Sequence, residues 1–282
     1  MSEKARSGGW RTVPDIVVAC ARHRPDTPLL MDVDGRVVTA ARLAELSRRG
    51  AYLLARHGVQ RGQLVGLDTV AMGWVDVAIG YFAVTWLGAA AVLTAGAAME
   101  RRALDDIGVT AFVTTDGRAR DGVPTLSPDD FAAASGLAGE PAAAPEDLLD
   151  LVFTSGTTGE PKPVASTHAQ WVRSVRPEMV ARSGRRLVAH TGIPVFVSGG
   201  LHGVLLNHAA RGVSSLAARD VAELLRAARE WEVSELHVTP HAARGLVRAM
   251  DGGPQPWARR IRVIRAIGGP VTASLAEDLT TC

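Results

Sequence analysis

Residues 151–168 read Leu-Val-Phe-Thr-Ser-Gly-Thr-Thr-Gly-Glu-Pro-Lys-Pro-Val-Ala-Ser-Thr-His. An apolar run leads into Thr154, Ser155, Gly156, Thr157, Thr158 and Gly159, followed by Glu160, Pro161 and Lys162. Two glycines permit the positive φ angles that turn backbone N–H groups inward as an anion nest. The four hydroxyls of Thr154, Ser155, Thr157 and Thr158 add donors that can follow phosphate oxygens. Lys162 supplies a point charge on a flexible stem. Pro161 fixes its own φ, and Pro163 restricts Lys162 to extended backbone. The chemistry this implies is polyphosphate binding. It is not a Walker loop: counting from Gly156, Pro161 and Lys162 stand where Gly-Lys is needed, and no Ser or Thr follows. A Ser/Thr/Gly-rich hairpin turn is the plain structural alternative. The lysine count weighs against it, because Lys4 and Lys162 are the only lysines among 31 basic residues.

Other chemistries have weaker support. Ser155 lies in no Gly-x-Ser-x-Gly elbow. His168 belongs to the segment above and also suits a packing role at a strand end. His190, His202 and His208 surround residues 193–200, and His237 and His241 flank Thr239-Pro240. None of these pairs as metal ligands on one helix, so no metal site is expected. No residue is singled out as a catalytic acid, base or nucleophile.

Elements must hold the loop. Short apolar runs predict strands over 29–33, 64–70, 89–93, 110–114, 148–154, 186–190, 234–239 and 261–267. Helical spacing predicts helices over 40–57, 74–87, 98–107, 169–180, 201–210, 220–231, 240–250 and 272–281. Strands alternating with helices of this length imply crossover units and a mainly parallel α/β sheet. Residues 131–145 are rich in Ala, Gly and Pro without apolar periodicity and read as a surface connector. The expected organisation is a first α/β lobe over 1–131, a connector over 132–147 and a second α/β lobe over 148–282.

The 282 residues suffice for a buried core without disulfide or metal staples. With 47% hydrophobic and 21% charged residues and a net charge of +2, neither a disordered chain nor a nucleic-acid binder is indicated. Cys20 and Cys282 make no disulfide framework. After the charged first residues, Pro14 and Asp15 break the apolar run, so no signal peptide fits. Residues 77–99 carry no charge and are long enough to span a bilayer. Gly80, Gly88 and Gly96 and the many alanines give little transfer energy, so a buried helix followed by a core strand is expected. The protein reads as cytoplasmic, with no membrane partner.

The 151–168 segment resembles the loop of the acyl-adenylate-forming (AMP-dependent synthetase/ligase) superfamily. That group includes acyl-CoA synthetases, peptide-synthetase adenylation domains and luciferases. The family pattern is Tyr/Phe-Thr-Ser-Gly-Thr-Thr-Gly-x-Pro-Lys-Gly-Val, then Thr-His. The chain matches at Phe153 through Gly159, at Pro161, Lys162 and Val164, and at Thr167-His168, and departs at Pro163, where the family has Gly. Residues 36–61 resemble the family's early helix and its Gly-Val-x-x-Gly turn, with Ala40 at the Tyr position. Residues 80–91 resemble its Gly-Ala helix-to-strand turn, and Thr239-Pro240 the start of a pocket-lining helix. Residues 193–200 resemble the Pro-Leu-Phe-His-x-x-Gly segment, with Val197 in place of His. Ile267-Gly268-Gly269-Pro270 resembles the Gly-Gly-Ala-Pro turn.

The resemblance implies the two-lobed fold of the family's large N-terminal domain. It implies a parent reaction in which a carboxylate and Mg·ATP give acyl-AMP and pyrophosphate. Thr154, Ser155, Thr157, Thr158 and Lys162 would then hold the β- and γ-phosphates, with Gly156 and Gly159 shaping the loop. Gly268, Gly269 and Pro270 would border adenine. Phe196, Val197, Gly199 and Gly200 would wall the acyl pocket. The family's Tyr-Gly-x-Thr-Glu, its Thr-Gly-Asp and its small C-terminal domain have no counterpart in the sequence. The second lobe is accordingly expected to be incomplete, and the chain alone is not expected to adenylate. Three readings stay open: a ligase part working with a separate C-terminal polypeptide, a non-catalytic nucleotide- or carboxylate-binding protein, and an incomplete reading frame. Self-association is expected where the last helix lacks cover.

Overall fold

The computed structural model describes residues 9–120, 122–154, 162–175, 186–250 and 255–281. Its strands, in chain order, are β1 (Pro28–Asp32), β2 (Val37–Thr39), β3 (Leu64–Asp68), β4 (Ala90–Thr94), β5 (Ala111–Val113) and β6 (Thr125–Leu126). They continue with β7 (Leu148–Thr154), β8 (Lys162–Thr167), β9 (Leu187–Thr191), β10 (Ser214–Ala217), β11 (Val233–Val238) and β12 (Val263–Ala266). They form two six-stranded sheets, ordered β6-β5-β3-β4-β7-β8 and β12-β11-β9-β10-β1-β2. Each sheet is parallel except at one edge, where an antiparallel hairpin ends it: β7 with β8 in the first, β1 with β2 in the second. This is the α/β, mainly parallel architecture expected from the alternation of strands and helices.

Helices α1 (Pro14–His23), α2 (Ala40–Arg56) and α3 (Trp74–Trp86) pack beside the sheets. Thr39 caps α2, its hydroxyl accepting from the Arg42 N–H at 3.3 Å, and Leu43, Leu46 and Leu54 form the buried face. Pro14, read from sequence only as a break, stands at the first turn of α1, where its missing N–H costs nothing. Asp15 satisfies that turn by accepting from the N–H groups of Arg11 and Thr12.

α3 touches β1 of one sheet and β3 and β4 of the other, so it lies between them. This explains why only Trp74 and Asp76 of its thirteen residues are not buried. The uncharged run 77–99 is therefore cut into this interior helix and the core strand β4, as its glycines suggested. No described helix is long and apolar enough to cross a membrane.

The two sheets do not divide at residues 132–147. β7 follows that stretch and pairs with β4, while β1 and β2 precede it and join β9 to β12. After α4 (Ala97–Arg102), the stretch leads from α5 (Pro128–Ala133) to the next strand of the same sheet. Its backbone is stitched down: the Ala142 N–H donates to Trp86 O at 2.9 Å, and Trp86 Nε1 to Gly139 O at 3.0 Å. The connector expected between two lobes is thus a crossover within one sheet.

Candidate functional site

The β7–β8 hairpin presents the Ser/Thr/Gly-rich loop. Its register pairs Leu151 with Ala165, Val152 with Val164, Phe153 with Pro163 and Thr154 with Lys162. Residues 155–161 therefore join Thr154 to its register partner Lys162, and Thr154 Oγ1 lies 3.4 Å from Lys162 O. Both residues are exposed, and Lys162 is in extended backbone, as Pro163 requires. Ser155, Gly156, Thr157, Thr158 and Gly159 lie outside the described residues. β8 runs straight into α6 (His168–Ser174) through a capping box, in which Thr167 and Gln170 satisfy each other's N–H groups. His168, first in that helix, accepts from the Val13 N–H through Nδ1 at 3.2 Å. Its burial pulls its pKa down to about 4. His168 joins α6 to the N-terminal segment.

A second group of expected residues meets at the C-terminal ends of β9, β11 and β12. Open α/β sheets bind ligands at such ends. Gly268 takes a φ of +91°, which glycine adopts at no steric cost, and starts the exposed turn Gly268, Gly269, Pro270. Gly269 packs toward Pro240 of the helix Pro240–Ala249. Gly199 lies beside Ile267. Gly200 cannot carry a side chain, because a Cβ there would strike the carbonyl oxygen of Pro194. Phe196 is half-buried against the large core, and Val197 caps the helical rod that follows. That rod covers 198–211 and consists of Ser198–Gly200, a π-turn over Leu201–Leu206 and Asn207–Arg211. The structure thus brings the 196–200 segment and the 268–270 turn together.

The β7 strand and the rod are bolted to one another. Asp150 is fully buried, with Oδ2 accepting from the Tyr81 hydroxyl at 2.8 Å and lying 2.9 Å from His202 Nε2. His202 Nδ1 is 3.1 Å from Ser198 Oγ. Burial, and then the Asp150 carboxylate, push the Tyr81 phenol well above its ordinary pKa, so it remains a donor. Asp150, Tyr81 and Ser198 were not singled out from the sequence. The available signals were a lone acid in the otherwise apolar strand 148–154 and one of only two tyrosines in the chain.

A third cluster lies deeper. His208 shares hydrogen bonds with Ser215 at 2.8 Å and with His237 at 3.2 Å. Glu235 pairs with Arg186 at 3.0 Å and with Arg211 at 3.1 Å, and Arg265 lines the same cavity of about 580 Å³. His190 packs edge-on to Trp74 at 4.3 Å, and burial, then His237, pull its pKa down to about 3. Among the described residues there is no group of three or more His, Cys, Asp or Glu that could hold a metal ion.

Two mainly parallel six-stranded sheets flanked by helices, one of them ending in the hairpin that holds the Ser/Thr/Gly-rich segment, define an α/β protein. The chain belongs to the family of AMP-binding enzymes, whose family model matches residues 17–282. It is 27% identical over 299 residues to a 4-chlorobenzoate–CoA ligase of Arthrobacter sp, covering 96% of this chain and 56% of that protein. It is 30% identical over 189 residues to the nonribosomal peptide synthetase-like enzyme fsqF of Aspergillus fumigatus, covering 63% of this chain and 12% of that one. The AMPPNP-bound form of the nonribosomal peptide synthetase FmoA3 superposes with a TM-score of 0.82 at 20% identity, over 96% of this chain and 30% of that one. This likeness shows the fold. The chain spans about half the length of the curated ligase it matches.

Proposed function

We propose that this chain forms the nucleotide- and acid-binding part of an acyl-adenylate-forming ligase. The reaction it serves joins a carboxylate to ATP, giving acyl-AMP and pyrophosphate. The observation that carries the reading is the β7–β8 hairpin of an AMP-binding enzyme, whose register sets Thr154 opposite Lys162. In this reading Thr154, Ser155, Thr157, Thr158 and Lys162 hold the ATP phosphates, with Gly156 and Gly159 giving the loop its turns. Gly268, Gly269 and Pro270 border the adenine, and Phe196, Val197, Gly199 and Gly200 wall the acid. Val197 in place of the family's histidine makes that wall apolar at one point.

Isothermal calorimetry with ATP tests the reading. Lys162 is exposed on an edge strand, so Lys162→Ala leaves the fold intact. A hydrogen bond to a charged group contributes about 1.5–3 kcal/mol, so the variant is expected to bind ATP roughly 10- to 100-fold more weakly. Equal affinity in the two proteins would remove Lys162 from the phosphate site.

A further inference from the structure

Four side chains from three elements meet at the 196–200 segment: Tyr81 of α3, Asp150 of β7, and His202 and Ser198 of the rod. A carboxylate oxygen only accepts, so the His202 nitrogen facing Asp150, Nε2, carries the hydrogen. Nδ1 is then left with a lone pair aimed at the Ser198 hydroxyl, 3.1 Å away. Ser198 is exposed, His202 is 17% exposed and Asp150 is fully buried. Holding a carboxylate in an apolar strand is costly, and its Oδ1 has no hydrogen-bond partner among the described residues. The nucleotide and acid reading gives none of these four groups a task. A hydroxyl on an acceptor nitrogen, with the ring oriented by a buried third group, is the arrangement that activates a serine.

We propose that Ser198 is a nucleophile that accepts an acyl group from an activated ester, with His202 as its base and Asp150 as the residue that positions His202. Ser198 Oγ bonds to the carbonyl carbon while its proton passes to His202 Nδ1. The bond from that carbon to the leaving group breaks, the leaving group departs as its anion, and His202 gives the proton to water. Water then releases the acid from the Ser198 ester along the same proton path. The substrate class is an acyl group on an acidic leaving group. The step needs no ATP, so it stands or falls apart from nucleotide binding.

The test uses the full chain with two probes, a fluorophosphonate and p-nitrophenyl acetate. The fluorophosphonate is expected on Ser198 in tryptic mass spectra, and p-nitrophenyl acetate should give a burst of p-nitrophenolate with acetyl-Ser198. Ser198→Ala should abolish both. His202→Gln should slow labelling by about 100-fold or more, the usual worth of a general base. Asp150→Asn should label more slowly, and Asp150→Glu should recover part of the rate, because a carboxylate again holds the ring through Nε2. Three outcomes would overturn the proposal: no labelling of a chain with native circular dichroism, labelling at another serine, or equal rates in wild type and His202→Gln. Equal labelling rates in wild type and Asp150→Asn, or no recovery in Asp150→Glu, would remove Asp150 from its positioning role.

Discussion

Arg120 is a buried cation surrounded by acids and one ring. Its guanidinium lies 2.9 Å from Glu100, 3.1 Å from Asp116 and 3.7 Å from Asp68, and 4.2 Å from the centre of the Phe112 ring. Burial pushes the Asp116 carboxyl up, but the Arg118 N–H and the Arg120 and Arg118 guanidiniums outweigh it and hold it well below its usual range. Arg120→Ala would strand these carboxylates with too little positive charge. The expected loss is about 3–5 kcal/mol in urea unfolding, the cost of breaking a buried pair from one side. A loss below about 1 kcal/mol would mean that water replaces the guanidinium. At this scale the sequence was readable where a residue type was rare. Lys162 stood out as one of two lysines, and Pro163 announced its extended backbone. Arg120 is one arginine among many, and Asp150 looks like an ordinary polar interruption of a strand. Asp116 lies four residues from Arg120, but Glu100 and His202 are distant in sequence from the residues they pair with, so no local pattern joins those pairs.

Three buried histidines act as joints between elements. His168 links α6 to the segment before α1, His190 links β9 to α3, and His208 links the 198–211 rod to β10 and β11. Burial lowers the pKa of each: His168 to about 4, His190 to about 3, and His208 well below its ordinary value. An unfolded histidine takes up its proton near pH 6.5. Between that pH and the folded values the unfolded chain binds more protons, so stability falls as pH falls. Each joint contributes up to about 1.4 kcal/mol per pH unit in that window. The urea midpoint is expected to be level above pH 7 and to drop steeply from pH 6.5 to pH 5. A level midpoint across that range would show the three rings to be hydrated. At the scale of elements the interior helices and central strands were legible from apolar runs, as with α3 and β4. The short edge strands β2, β6 and β8 were not. Edge pairing is decided by a neighbour, and β8 is exposed along most of its length, so its pattern carries no burial signal.

At the scale of the molecule, chain order and sheet membership disagree. β1 and β2 lie near the N-terminus, yet β1 pairs with β10, with Leu30 opposite Ser215 and Met31 opposite Leu216. Composition alone divided the chain at 132–147, because a stretch rich in Ala, Gly and Pro looks like a hinge; strand pairing is set by contacts that composition does not record. A piece ending at residue 147 would retain α1 to α3 but would lack β9 to β12, including β10, the partner of its first hairpin, and β7, the partner of β4. Such a piece is expected to expose apolar surface, with strong dye binding and fast amide exchange over 28–39. Native-like protection there would show that the hairpin is stable alone.

The same crossing sets a timetable. As the chain is made from its N-terminus, β3 to β8 can assemble once residue 167 has emerged, because all of that sheet lies between residues 64 and 167. The β1–β2 hairpin must wait for β10, almost fifty residues later. During that interval Leu29, Leu30 and Met31, which end fully or almost fully buried, remain open to other chains. Long-range pairing of this kind slows folding and lengthens the exposure of unpaired strands. In this chain the hairpin at 28–39 is the segment on which a chaperone has the longest time to act.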